Sequence, residues 1–210
     1  QKNKSIGAFV VGFALMFLGL SFMKSSAGML LSNKDAMLEF FSHFTGYGFG
    51  SEIIFLLAGT ILTIVLQASS ATMAITMLLT TSGLIDFPLA CAMVLGENIG
   101  TTITANMAAA VGNTSAKRAA RAHTVFNVFG VIWMLIVFKP FLKLVGIVME
   151  TLGFANPLTV DLTAPGADTA LLYGISMLHT LFNITNTLVL IWFTPQIERI
   201  VKWMVKSPKG

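Results

Sequence analysis

Long apolar runs separated by short polar stretches dominate this chain and predict helices that cross a membrane. Residues 6–23, 122–138 and 170–194 are each long and apolar enough to span the hydrocarbon core of a bilayer. Residues 139–168 carry three prolines and several acids, which indicates an interfacial helix and a loop. Residues 198–209 alternate apolar and basic positions and predict a basic amphipathic helix on the membrane surface.

The run from residue 53 to residue 85 is too long for one ordinary crossing and too short for two crossings with a loop. Its centre reads Q-A-S-S-A-T and holds Gln67, Ser69, Ser70 and Thr72. Polar groups persist at membrane depth where they are buried in protein or line a cavity. The run therefore predicts two half-helices that meet at residues 67–70 beside a path for a solute or ion. For any one of these hydroxyls alone, a bond back to a helix carbonyl is the alternative.

A second polar segment, G-E-N-I-G-T-T, occupies residues 96–102. Asp86 and Pro88 predict the start of the helix that leads to it, and its two glycines predict a break in that helix. A new helix starting near Gly100 would direct free backbone amides at an oxyanion, although a plain helix–helix turn also fits. The polar side chains of this segment and the residues after it include Asn98, Thr101, Thr102 and Asn106.

Several further polar side chains interrupt the apolar runs. Glu97 is an acid in a mostly apolar region, where it would offset a cation or take a proton, unless it lies at the aqueous end of a helix. The sequence H-T-V-F-N at residues 123–127 recurs as H-T-L-F-N at 179–183. His123 and His179 are candidates for titration near neutral pH, but a helix–helix hydrogen bond is the more common role. Asn127 and Asn183 suit hydrogen bonds between helices.

Composition narrows the class of protein. Of 210 residues, 55% are hydrophobic and 10% charged, against about 25% charged in soluble domains. The net charge of +4 comes from Lys and Arg at the ends of apolar runs rather than from a basic face for nucleic acid. The single cysteine, Cys91, excludes an internal disulfide. No nucleotide-binding loop, metal-ligand spacing or hydrolase motif is present, so we expect no enzyme and no cofactor.

We therefore predict an all-α integral membrane protein with a single membrane domain over residues 1–210. Its expected parts are a spanning helix (1–24), a connector (25–52) whose residues 35–44 are amphipathic, and a region with a re-entrant hairpin and broken helices (53–112). Spanning helices with an interfacial loop (113–195) and a basic tail (196–210) follow. The basic residues at 117–121 and in the tail favour the cytoplasmic side, and the acid-bearing loop at 139–168 favours the opposite side.

These motifs, in this order and spacing, resemble the bacterial branch of the sodium-dependent phosphate cotransporter family. The family hallmark is a Q-S-S-S motif, then G-x-N-I-G-T-T, then a helix with H-x-x-F-N. Here they stand as Q-A-S-S-A-T, G-E-N-I-G-T-T and H-T-V-F-N, with Ala68 in place of the first serine. The resemblance covers most of residues 50–195.

The resemblance implies sodium-coupled symport of phosphate across the inner membrane by a multi-pass protein built from two inverted repeats. It implies phosphate and sodium bound at a hairpin tip by Gln67, Ser69, Ser70, Thr72, Asn98, Thr101 and Thr102. The sodium ion would be held by Gln67, Ser69, Ser70 and Thr72. Supporting roles around the site would fall to Glu97, Asn106, His123, Asn127, His179 and Asn183.

A single serine motif is present, so the chain resembles the second half of such a transporter. We expect a missing first repeat or a second copy of the chain to complete the site, with phosphate, sodium and the lipid bilayer as the other partners. Two alternatives stay open at this point. One is a symporter for another small anion, and the other is a membrane module that senses phosphate without transporting it.

Overall fold

The structure is a computed structural model that describes residues 2–206, with the side chains of all of these except residues 2, 3, 24 and 27–31. The described residues are mostly helical and contain no β-strand. They form nine α-helices: α1 Lys2–Leu31, α2 Lys34–Ser42, α3 Phe49–Leu66, α4 Ser69–Thr81, α5 Phe87–Ala109, α6 Thr114–Ile136, α7 Phe138–Thr151, α8 Ala167–Leu190 and α9 Thr194–Met204.

The chain divides into two compact units, residues 1–43 and residues 44–210. The first unit contains α1 and α2. Residues Lys4–Met23 of α1 are long and apolar enough to cross a membrane, which confirms the helix predicted at residues 6–23. The short helix α2 covers most of the predicted amphipathic stretch at 35–44.

In the second unit, the long apolar run is broken where the polar cluster predicts it. Helix α3 ends at Leu66, and Gln67 takes a left-handed conformation with φ of 54°. Ala68 is extended, and α4 begins at Ser69. Its 13 residues extend about 20 Å, which is less than the roughly 30 Å of hydrocarbon in a bilayer. The predicted break is confirmed, while the re-entrant arrangement of the two helices stays a prediction.

Helix α5 is the buried centre of the second unit, with residues 89–97 all buried. The Asp86 carboxylate accepts the backbone N–H of Leu89 at 2.9 Å, and Pro88 lies in the first turn, as predicted. The predicted break at residues 96–102 is wrong, because α5 runs through them without interruption. With the helix continuous, no new helix begins near Gly100 and no free amides arise there.

The glycines of this segment serve close packing against α3 instead. A Cβ atom at Gly96 would overlap the Leu56 carbonyl, and one at Gly100 would lie 2.7 Å from the Thr60 carbonyl oxygen. Because both positions lack a side chain, the two helix backbones approach closely, and the Thr60 hydroxyl donates to the Gly96 carbonyl across the contact at 3.0 Å.

Helices α3, α4, α6 and α8 pack against α5. Helices α6 and α8 are apolar enough to cross a membrane, the second as part of the segment Ala167–Met204. With α1 and α3, the described residues contain four candidate spans, so the chain is a membrane protein. The predicted helix and loop at 139–168 are present as α7 and residues 152–166. Within this loop the backbone N–H and hydroxyl of Thr163 both donate to Asp161 at 2.8 Å, which lowers the pKa of that carboxyl.

Asn186 of α8 fixes the contact between α6 and α8. Its side chain is fully buried, and its Oδ1 accepts the Trp133 indole N–H at 3.0 Å. A Cβ atom at Gly130 would collide with the Asn186 side chain, so the glycine makes room for it. After a single 3₁₀ turn at Ile191–Phe193, α9 forms the amphipathic helix predicted for the tail. Residues 207–209 of that prediction lie outside the described residues.

Candidate functional site

A cavity of about 440 Å³ lies where α4, α5, α6 and α8 meet. Polar side chains from Q-A-S-S-A-T, G-E-N-I-G-T-T and both copies of the repeated motif line this cavity. The residues that line it are Ser69, Ser70, Met73, Glu97, Asn98, Thr101, His123, Phe126, Asn127, His179 and Asn183. No Lys or Arg lines the cavity, so its polarity comes from hydroxyls, amides, imidazoles and one carboxyl group.

The N-terminus of α4 forms one wall of the cavity. The first helical bond after the break runs from the Thr72 N–H to the Ala68 carbonyl, so the N–H groups of residues 69–71 have no partner within the helix. No side chain caps this end. The hydroxyls of Ser69 and Ser70 make no hydrogen bond to any described residue. This wall therefore offers several hydrogen-bond donors and the positive end of a helix dipole.

Helix α5 supplies the second wall through Glu97, Asn98 and Thr101. The Glu97 side chain is only 3% exposed, and its Oε1 accepts the Thr76 hydroxyl at 3.0 Å. The Asn98 Nδ2 donates to the Val94 carbonyl at 3.0 Å, and the Thr101 hydroxyl donates to the Glu97 carbonyl at 2.8 Å. Because α5 is continuous, the three residues follow one another along one side of the helix.

The two copies of the repeated motif supply the remaining walls with the same local geometry. On α6, the Asn127 Nδ2 donates to the His123 carbonyl at 3.0 Å. On α8, the Asn183 Nδ2 donates to the His179 carbonyl at 2.7 Å. All four side chains line the cavity, and neither imidazole hydrogen-bonds to another described residue. The repeat thus places one histidine and one asparagine on each of two helices that face the same space.

Four residues predicted at the site do not line the cavity. Gln67 is exposed in the turn between α3 and α4. Thr72 is fully buried against α3, where its hydroxyl accepts a bond from Thr63 at 3.1 Å. Thr102 is also fully buried, and its hydroxyl donates to the Ile99 carbonyl. Asn106 joins α5 to α6 by donating to the Thr124 hydroxyl at 2.6 Å. A binding role for these four residues has no support from the cavity.

Sequence reasoning missed Met73 and Phe126, which line the cavity, and Thr76, which holds the Glu97 carboxyl. A signal for Thr76 exists in the sequence. Thr72, Thr76 and Thr80 recur at four-residue spacing and are all buried on α4, as expected for one face of a helix. Phe126 is part of the repeated motif, but the repeat alone does not predict that this residue lines the cavity. The corresponding residue of the second copy, Phe182, is fully buried.

Comparison with known proteins identifies a matching family and several similar proteins. The sequence profile of the Na+/Pi-cotransporter family matches residues 28–156. The chain is 33% identical over 183 residues to the uncharacterized protein YqeW of Bacillus subtilis, a match that covers 87% of this chain and 55% of that protein. It is 24% identical over 207 residues to the "Putative inorganic phosphate export protein YjbB" of Escherichia coli K12, covering 99% of this chain and 34% of that protein.

The chain therefore spans about half of the first relative and about a third of the second. No solved structure matches it. The family profile covers more than half of the chain and includes the Q-A-S-S-A-T, G-E-N-I-G-T-T and H-T-V-F-N segments. Together with the membrane helices and the polar cavity that these segments line, this match shows that the chain belongs to the Na+/Pi-cotransporter family.

Proposed function

We propose that this chain forms part of a transporter that moves inorganic phosphate across the inner membrane together with sodium. One observation carries the proposal. In a chain with 55% hydrophobic residues, the polar motifs converge on a single cavity, and several of their polar groups have no partner among the described residues. Polar groups at membrane depth persist where they line a cavity or a path for a solute.

Phosphate would be held at the N-terminus of α4. The free amides of residues 69–71 and the hydroxyls of Ser69 and Ser70 would donate to its oxygens. Asn98 and Thr101 would lie on the facing wall. Helix N-termini bind anions without a cationic side chain, because unpaired amides and the helix dipole both favour negative charge. Such a site suits a cavity that contains no Lys or Arg.

Sodium coupling is proposed from the family that the chain belongs to and from the oxygen-rich lining of the cavity. The cation would supply positive charge that the side chains lack. Discontinuous helices in other secondary transporters bind anions and sodium at their two kinds of free end in this way. One relative is named as a putative phosphate export protein. We therefore do not fix the direction of transport, and the sodium and phosphate gradients across the membrane would set the direction of net phosphate movement.

We further propose that α3 and α4 form a re-entrant hairpin in one half of an inverted-repeat transporter. The short α4 and the break at Gln67 support this arrangement. A first repeat elsewhere in the protein, or a second copy of this chain, would cover the open side of the cavity. The basic residues at 117–121 and those of α9 would face the cytoplasm.

Uptake by reconstituted protein tests the proposal. We expect the full-length protein in proteoliposomes to accumulate labelled phosphate when a sodium gradient is imposed, and not when choline replaces sodium. Unlabelled phosphate should compete with the label, and dicarboxylates should not. Competition by carboxylates would indicate a symporter for other anions. Phosphate binding without sodium-driven accumulation would contradict transport and favour a sensing module.

A further inference from the structure

An apolar cavity of about 250 Å³ lies between α6, α8 and α9 and shares no lining residue with the polar cavity beside α4. The described residues that line it have apolar side chains, except Gln196 and Trp133. The indole N–H of Trp133 is already bonded to Asn186. Val125, Phe129 and Trp133 follow one another at four-residue spacing along the α6 wall, on one side of that helix. A cavity of this kind excludes ions and accepts a hydrocarbon group.

Two arginines lie beside this apolar cavity. Arg121 is four residues before Val125, which places it on the same side of α6. Arg199 adjoins Ile200, which lines the cavity from α9. Both arginines are exposed, and neither makes an ion pair or a hydrogen bond with another described residue. Guanidinium groups bind phosphate oxygens through paired N–H donors. Charge therefore favours an anionic group here, next to a space that suits hydrocarbon.

The apolar cavity lies at the depth that an acyl chain occupies below its headgroup. Val125 and Trp133 come four and twelve residues after Arg121, which is about 6 and 18 Å along the helix axis. One leaflet contributes roughly 15 Å of hydrocarbon. Trp192 just before α9 and Trp203 near its end are 81% and 77% exposed, and tryptophan is enriched at the membrane interface. With Arg121 at headgroup level, the cavity lies among the acyl chains of one leaflet.

We propose that an anionic phospholipid of the cytoplasmic leaflet binds here, with one acyl chain in the apolar cavity and its phosphate at Arg121 and Arg199. Gln196, which is exposed and lines the cavity, would donate to an ester oxygen of the lipid. The cytoplasmic leaflet carries anionic lipids, and basic residues favour that side. Inorganic phosphate has the charge but no chain to fill the cavity, so the lipid fits both parts of the site. Lipid binding at this face does not depend on what the polar cavity binds.

Titration of the delipidated full-length protein with phosphatidylglycerol, followed by native mass spectrometry, tests the proposal. We expect the wild type to bind phosphatidylglycerol on the order of tenfold more tightly than phosphatidylcholine. The paired substitution Arg121→Gln and Arg199→Gln should weaken phosphatidylglycerol binding on the order of tenfold or more and remove this preference, because a charge-assisted hydrogen bond is lost at each position. Glycerol phosphate carries the charge without the chains, and at equal concentration it should not displace the lipid.

The pair Lys139→Gln and Lys143→Gln is the matched control. It also removes two exposed cations, but from α7 and outside the apolar cavity, so its phosphatidylglycerol binding should equal that of the wild type. The size-exclusion profile of the paired arginine variant shows whether it is folded. Val125→Phe leaves both arginines in place and narrows the cavity, so it should weaken phosphatidylglycerol binding about threefold or more. This variant decides the question if the paired arginine variant does not fold.

Three results overturn the lipid site. The first is a paired arginine variant, or a Val125→Phe variant, that binds phosphatidylglycerol as tightly as the wild type. The second is a wild type that binds phosphatidylglycerol and phosphatidylcholine equally, as it would if another part of the full-length protein covered this face. The third is displacement of the lipid by glycerol phosphate at equal concentration, which indicates a site for a free anion.

Discussion

Replacing Ser69 and Ser70 together by alanine is expected to abolish sodium-coupled phosphate uptake by the full-length protein while leaving its expression intact. Both hydroxyls line the cavity and make no bond to another described residue, so their loss removes ligands without breaking a structural contact. A hydrogen bond to a charged group contributes about 1.5–3 kcal/mol. Two such losses weaken phosphate binding by roughly 10² to 10⁴-fold, as measured by uptake of labelled phosphate and by direct binding.

Ser82→Ala is the matched control, since Ser82 follows the opposite end of α4 and does not line the cavity. Its uptake should equal that of the wild type. The backbone amides of α4 do not depend on the side chains, so the double variant should retain weak phosphate binding at high concentration. Uptake at the wild-type rate in the double variant would show that the anion binds elsewhere.

Replacing Gly96 by alanine is expected to disrupt the second unit. The added Cβ would overlap the Leu56 carbonyl and would lie 2.9 Å from the Thr60 backbone nitrogen. Neither backbone atom can move without separating α3 from α5. Overpacking of a core typically costs about 1–3 kcal/mol, and we expect at least the upper part of this range here. Thermal unfolding of the purified protein, followed by size-exclusion chromatography, measures the loss.

Gly12→Ala controls for the change in helix propensity alone. A Cβ at Gly12 meets no atom within 4 Å, and alanine favours helices by about 1 kcal/mol over glycine. The control should be as stable as the wild type or more so. Equal stability of Gly96→Ala and the wild type would mean that α3 and α5 do not pack through this glycine.

The helix break at residues 67–68 could be predicted from the sequence because a break between two half-helices accommodates four polar residues at the centre of an overlong apolar run better than one continuous membrane helix does. The start of α5 could be predicted because Asp86 and Pro88 are both specific signals for a helix N-terminus. The helices α6 and α8 follow from the length of their apolar runs.

The break predicted at residues 96–102 was wrong because glycine serves two different structural purposes. It permits a bend in the chain, and it also permits two helices to touch. The sequence of α5 alone does not distinguish these uses. The choice depends on Gly59 and Leu56 of α3, which lie far away in the chain and face Met93 and Gly96 respectively.

The sequence predicted the residues of the candidate site from their polar side chains. In the structure, the side of the helix on which each residue lies decides whether it lines the cavity. Ser69 and Ser70 line the cavity, whereas Thr72 bonds to Thr63 of α3. Asn98 and Thr101 line it, whereas Thr102 is buried elsewhere on α5. Neighbours in sequence are rotated by about 100° around a helix, so their destinations depend on which helices pack on each side. The binding roles of the residues that line the cavity stay predictions.

Protection of a cysteine inside the cavity tests the central claim, that an oxyanion binds beside the N-terminus of α4, most directly. Met73→Cys places a thiol in the lining while leaving Ser69 and Ser70 intact, and the native Cys91 is fully buried. Any cysteine of the full-length protein outside this chain is replaced beforehand. Val111→Cys, at a position 96% exposed and outside the cavity, is the control.

The rate at which a charged, membrane-impermeant thiol reagent modifies each variant is measured with and without saturating phosphate in sodium. The account predicts that phosphate slows the modification of Met73→Cys on the order of tenfold, which corresponds to about 90% occupancy, and leaves that of Val111→Cys unchanged. Equal rates for Met73→Cys with and without phosphate would contradict it.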